Sequence, residues 1–251
     1  MVEYDKRKFK VLEKNIRHSN RYIYSKEVNS IIDEIMEISK SHIIEIGQDV
    51  ELYRCQVGCI YKEDESNYDI LPYEKLRMFP RKNIANEGRA NPKGIPYLYM
   101  ATDMKTAMCE VRAWPGLDVS CCVFKPKQKL KLIDLTKQYK AGLIIDFKKN
   151  LVLSNDSSED LWGEINNAFS FPILSTDNSA DYSITQVIAE IIKNEGYDGL
   201  LYNSYFTKNT SRGKNIVLFD KDKVKICYGH VVEIKKLDID IKQVGNTVWY
   251  E

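Results

Sequence analysis

Arg89, Tyr99 and Glu110 fall inside one stretch, EGRANPKGIPYLYMATDMKTAMCEVRAW at residues 87–114, and together they offer a cation, a phenol and a carboxylate. The turn NEGRANPKGIP combines a fixed positive charge with exposed backbone amides, which suits a phosphate or a ribose hydroxyl and equally suits a solvated surface turn. Tyr99 lies two residues past Tyr97 in a strand-like run, so both rings project to one face, either to stack on a flat ligand or to fill core. Glu110 stands in AMCEVRAW, where Ala107 and Val111 face a core and draw it to a boundary position. A solvated helix glutamate is the alternative.

The elements that must place these residues follow from the apolar spacing. IPYLYMA reads as a strand and TDMKTAMCEVRAW as a short capped helix ended by Pro115. Upstream, Val28, Ile31, Ile32, Ile35 and Ile38 share one face of a helix over 25–46, with Ser25 as cap and Gly47 as stop. Residues 1–24 are polar and charged, which predicts a mobile or loosely docked start. VELYRCQ is strand-like, and 57–95 reads as a long irregular loop broken by Pro72, Pro80, Gly88, Pro92 and Gly94. VSCCVFKP and LKLIDLT are further strands, while 137–158 gives no clear pattern. SEDLWGEINNAF and YSITQVIAEIIKNEGYDG are helices; in the second, Ile184, Val187, Ile188, Ile191 and Ile192 share a face and Gly196 ends it. GLLYNS, KNIVLF and VKICYGHVVEIKKL close the chain as strands.

With 251 residues, 43% hydrophobic and 29% charged, the chain is long enough for a sizeable core. Thirty-seven basic side chains balance 36 acidic ones, so no global field points to a nucleic-acid or membrane partner. Apolar runs stay far below the roughly 20 residues of a membrane span, and MVEYDKRKFK lacks a signal peptide's apolar stretch, so a cytoplasmic location is expected. The six cysteines show no paired Cys-x-x-Cys spacing, so free thiols are expected and a metal site is not. His18, His42 and His230 sit in no nucleophile or metal motif. A mixed α+β domain fits this pattern of elements.

LYRCQ, GRANPKGIPYLYMATDMKTAMCEV, YSITQVIAEIIKNEGYDGLLYNS and GKNIVLF, in this order, resemble the RES domain family, over about residues 50–220. The family is named for an arginine, a glutamate and a serine and includes toxins of bacterial Xre–RES toxin–antitoxin pairs. The resemblance puts its arginine on Arg89, its tyrosine on Tyr99, its glutamate on Glu110 and its serine on Ser204. Arg54 matches a first-strand arginine, and Asn215 an asparagine before the last family strand. Ala90 departs from the pattern, standing where the family usually has a large aromatic.

What the resemblance implies is an ADP-ribosyltransferase-like mixed sheet with flanking helices. It divides the chain into an N-terminal helical extension (1–47), a catalytic domain (48–238) and a C-terminal tail (239–251). NAD is the implied substrate, with no metal. Cleaving the nicotinamide–ribose bond builds positive charge on the sugar, which Glu110 would stabilise. Arg89 and Arg54 would hold the dinucleotide, because a guanidinium can grip phosphate bidentately. Tyr99 would stack on the nicotinamide or shape its slot, and Ser204 and Asn215 are short donors for a ribose hydroxyl or phosphate oxygen. The implied activity is an NAD glycohydrolase or phosphorylase; the alternatives are a protein ADP-ribosyltransferase and a catalytically silent binding module. Arg, Tyr, Glu and Ser standing together speak against a silent module. No basic patch with interleaved aromatics supports direct nucleic-acid binding. A helix-turn-helix antitoxin is the implied partner, and a homodimer is compatible with it.

Overall fold

The computed structural model describes residues 6–64, 67–137, 144–146, 151–153, 156–171, 179–207 and 213–237. The C-terminal tail and most of 137–158 lie outside them. In chain order come helices α1 (Lys6–His18) and α2 (Lys26–Ser41), then strands β1 (Ile43–Ile46) and β2 (Leu52–Val57). A hairpin of β3 (Ile60–Asp64) and β4 (Asn67–Leu71) leads to the short α3 (Lys75–Met78). β5 (Leu98–Ala101), α4 (Met104–Glu110), β6 (Asp118–Pro126) and β7 (Leu130–Asp134) follow. A small hairpin of β8 (Ile144–Asp146) and β9 (Leu151–Leu153) precedes α5 (Asp156–Ser170) and α6 (Ser183–Asn194). β10 (Gly199–Asn203), β11 (Lys214–Leu218) and β12 (Val224–Glu233) end the described chain.

Eight strands form one sheet in the order β1-β7-β10-β11-β5-β2-β6-β12. The β7–β10 pair is parallel and the other pairs are antiparallel. The fold is therefore α+β, as the pattern of elements predicts, with the large mixed sheet and flanking helices that the resemblance implies. On one face, Leu12, Ile35, Trp162, Phe169 and Ile188 from the helices pack on Tyr97, Tyr202 and Val217 of the sheet. The other face buries Leu52, Leu98, Phe124, Leu132 and Leu218 beneath Met78 of α3. β10 is buried on both sides over Gly199–Tyr202, which is why those four residues show no alternation of apolar and polar types.

Three expectations need correction. Residues 1–5 lie outside the described residues, but 6–18 are not loosely docked. α1 places Phe9, Leu12 and Ile16 in the core at helical spacing, a signal hidden by the lysines and arginines between them. Lys8 pairs with Glu34 at 2.8 Å, and Arg17 with both Glu13 and Asp181 at 3.2 Å. Second, the helix over 25–46 keeps its Ser25 cap and buried face but stops at Ser41. His42 turns inward, bonding the Ile38 carbonyl through Nδ1 and packing 4.5 Å from Trp162. The next four residues become β1, paired with Leu130–Ile133 of β7, so residues 6–46 add two helices and a strand to the same body as the rest of the domain. Third, 57–95 is not irregular throughout, since β3 and β4 pair from Ile60↔Leu71 to Asp64↔Asn67. Among the described residues, no helix is long and apolar enough to cross a membrane.

Leu12 is fully buried, and a buried Leu→Ala substitution costs about 2–5 kcal/mol through lost transfer energy and the cavity left behind. Leu12→Ala should lower stability by that amount in urea unfolding, and removal of residues 1–20 should cost more. A truncated protein as stable as the full chain would show that α1 does not hold the core.

Candidate active site

α4 is only seven residues long and is held at its start by Asp103, whose carboxylate accepts from the Thr106 backbone N–H at 2.9 Å and from its hydroxyl at 2.8 Å. Such a helix has little stability of its own. Packing places it: Ala107 joins Cys55, Ala101, Val119 and Cys121 in a small core at the β2–β6 end of the sheet. Two residues beyond Glu110 the chain turns through Arg112, whose φ of 50° lies in the left-handed region.

Glu110, at the last helical position, is exposed as a residue, yet its carboxylate is tied on one side. Oε1 accepts from Ser204 Oγ at 2.8 Å and from Asn215 Nδ2 at 2.7 Å. Both donors are rigidly seated, Ser204 at 1% exposure just beyond β10 and Asn215 at 6% on β11, across from Tyr202 and Ala101. Oε2 accepts nothing from the described residues. Two neutral donors orient the carboxylate without placing a counter-charge on it, and one oxygen stays free to meet a developing cation.

Glu110 and Asn215 border a cavity of about 330 Å³ whose other walls include Arg54, Cys55, Tyr99 and Tyr202. The cavity exists because β2 and β5 pair at a single position, Tyr53↔Ala101, and then separate. The guanidinium of Arg54 enters that gap and donates from Nη1 to the Tyr99 carbonyl at 2.8 Å, satisfying an acceptor that a continuing ladder would have used. Burial pulls the Arg54 pKa below its ordinary value, and its Nε has no hydrogen-bond partner among the described residues.

Tyr99 reaches the other way, into the turn of residues 86–95. Its hydroxyl accepts from the Ala90 backbone N–H at 2.9 Å and donates to Asn91 Oδ1 at 2.7 Å. Burial pushes its phenol pKa up, so it stays a donor. The Asn91 amide gathers the carbonyls of Asn86, Pro92 and Ile95 at 3.0, 3.2 and 2.8 Å. From α6, Gln186 Nε2 donates to the carbonyls of Gly88 and Asn91, and the Thr185 hydroxyl to that of Arg89. Gly88 is required by this closeness: a Cβ there would lie 2.7 Å from both Asn91 Oδ1 and the Tyr99 hydroxyl.

The structure thus brings Arg54, Tyr99, Glu110 and Asn215 to one cavity, with Ser204 fastening Glu110. Arg89 does not line it. Its side chain is half-buried and donates from Nη1 to the Phe169 carbonyl at the end of α5, where a cation is favoured by the helix dipole. Asn91, Thr185, Gln186 and Tyr202 are components that sequence reasoning missed. Asn91 and Tyr202 lie within the stretches GRANPKG and LLYNS without a role assigned to them, and the polar pair Thr185-Gln186 amid the isoleucines of α6 is the trace of the other two. All six cysteines are free thiols, with Cys55, Cys121 and Cys122 buried. Among the described residues there is no cluster able to hold a metal ion.

The family model described as the RES domain matches residues 52–238. No curated protein matches the chain. Among solved structures, a chain in the crystal structure of the M. tuberculosis MbcT–MbcA toxin–antitoxin complex is similar at 15% identity and a TM-score of 0.42, over 80% of this chain and 91% of that one.

Tyr99→Phe keeps the ring and removes the hydroxyl, stranding the Ala90 N–H and Asn91 Oδ1. A buried polar group left without its partner costs about 1–3 kcal/mol, so the variant should lose at least that much stability. If the phenol acted only as a stacking surface, the phenylalanine variant would unfold at the wild-type denaturant concentration.

Proposed function

Because the chain belongs to the RES domain family, we propose that it consumes NAD, breaking the bond between nicotinamide and ribose. The observation that carries this reading is the one-sided fastening of Glu110, with Ser204 and Asn215 both on Oε1 and Oε2 free at the edge of the cavity. As the C–N bond lengthens, positive charge develops on the ribose ring and nicotinamide leaves as a neutral molecule. A carboxylate oriented beforehand lowers the energy of that charge without reorganising during the step. The acceptor, water or phosphate, then bonds to the anomeric carbon and gives up a proton.

A cavity of about 330 Å³ lies at the small end of the range for ligand sites and suits the nicotinamide riboside half of the dinucleotide. Arg54 supplies positive charge at its wall. The pyrophosphate runs toward the turn carrying Arg89, which Tyr99 holds in register beside the cavity. Tyr99 and Tyr202 enclose the ring end, and Tyr99 serves as a positioning residue as well as a wall. We also read the protein as the toxin of a toxin–antitoxin pair with a helix-turn-helix antitoxin as its partner, as its family membership suggests. Expression without the antitoxin should arrest bacterial growth, and co-expression should restore it.

The test of the chemistry is nicotinamide release from NAD by the purified chain, with and without phosphate, which separates ADP-ribose from its 1″-phosphate as product. Glu110→Gln should keep the fold and NAD binding while turnover falls about 100–1,000-fold, the loss that accompanies removal of one such electrostatic stabiliser. Wild-type NAD loss in that variant would refute the assignment. Arg89→Lys, which replaces a planar fork by a point charge, should raise KM with kcat nearly unchanged; unchanged KM would leave phosphate binding to Arg54.

A further inference from the structure

A second concavity, of about 710 Å³, shares no lining residue with the cavity beside Glu110. It is walled by α3 and the chain around it, by the turn between β6 and β7, and by the start of β12. Six cations converge there, namely Lys75, Arg77, Arg81, Lys127, Lys221 and Lys225, against two acids, Glu74 and Asp222. The whole chain is nearly neutral, with 37 basic and 36 acidic side chains, so this is a local concentration of charge. It is a basic patch with aromatics that sequence reasoning did not find, because separate segments deliver it. None of the six cations belongs to an ion pair among the described residues. A lysine on an edge strand discourages sheet-to-sheet pairing. That accounts for Lys225 on β12 but not for cations delivered by separate segments to one hollow.

Two aromatic rings set the floor. The Arg77 guanidinium lies 3.8 Å from the centre of the Tyr73 ring, and Lys221 Nζ lies 5.8 Å from that of Phe79. Phe79 is itself braced edge-on against the buried Phe124 at 5.4 Å. Cation–π contacts of this kind orient charged groups that would otherwise sample many rotamers. They also occupy ring faces on which nucleobases would stack, which favours recognition through charge over recognition of bases. The volume is that of a small-molecule site, and the charge is gathered around a hollow rather than along a stripe.

We propose that this cleft binds a small molecule bearing a chain of three or more phosphates, either inorganic polyphosphate or a nucleoside polyphosphate. The phosphate oxygens would meet Arg77, Lys127 and Lys221 from three sides, and the chain of charge would relieve the mutual repulsion of the six cations. The site is independent of the NAD reading, since none of its residues borders the cavity beside Glu110.

Calorimetry of the full chain at low salt, with sodium tripolyphosphate as probe, tests this directly. Saturable binding with one ligand per chain is expected, tighter than for pyrophosphate and weakened by added salt. Equal affinity for ATP and tripolyphosphate would show that the phosphate chain alone is read; tighter ATP binding would identify a nucleoside polyphosphate. Lys127→Glu combined with Lys221→Glu should weaken tripolyphosphate at least tenfold and leave NAD turnover at the wild-type level. Should that pair fail to fold, the exposed single variants Lys75→Glu and Arg81→Glu decide by the same criterion. The proposal is overturned by the absence of saturable binding, by affinity unchanged in the variants, or by a short oligonucleotide binding more tightly than tripolyphosphate.

Discussion

The hydroxyl of Tyr99 is held between a backbone donor and a side-chain acceptor, and the arrangement around the cavity depends on that pair of hydrogen bonds. Every polar group in the turn of residues 86–95 that is removed from water needs a partner, because an unmet buried donor or acceptor is worse than no polar group at all. Asn91 alone cannot meet the demand. Its amide serves three carbonyls, its oxygen is free for Tyr99, and Gln186 takes the Gly88 and Asn91 carbonyls. A strand, a turn and a helix distant in sequence are thereby joined through side chains. This kind of network is all-or-none, since losing one member strands the others.

Glu110 shows the opposite economy. It is carried on a helix too short to be stable alone and is exposed, but its donors belong to the interior of the sheet. β10 and β11 are among the most buried strands in the molecule, so Ser204 and Asn215 inherit their rigidity from Leu200, Leu201, Ile216 and Val217. The position of the carboxylate is thus set by apolar packing several residues away.

Helix and strand positions were largely legible because their evidence is periodic. Ile31, Ile35 and Ile38 mark a buried face, and Ser25 and Asp103 cap as their types suggest. Legibility failed where charge density hid periodicity, as at Leu12 and Ile16, and where a helix gave way to a strand without a glycine or proline, as at His42. The site divides the same way. Glu110, Ser204 and Asn215 were recognised by resemblance, and their mutual contact is a property of the fold alone. Arg89 was legible as a cation but not as one directed at the end of α5, because nothing local encodes which helix terminus lies above it. Gln186 is a polar letter on an amphipathic helix, and its partners lie almost a hundred residues earlier.

The single backbone pair between β2 and β5 divides the sheet into two rafts, β1-β7-β10-β11-β5 and β2-β6-β12, with Arg54 lodged in the seam. Ligand sites commonly lie at domain interfaces, at the strand ends of a sheet or in the mouths of barrels. Here space is obtained inside the sheet, and the backbone groups that the opening would orphan are answered by one side chain. The two rafts are consequently joined more by side chains and α4 than by peptide hydrogen bonds. A molecule entering the seam need break no ladder to fit, and a small relative tilt of the rafts would change the width of the site while leaving each raft's own pairing intact.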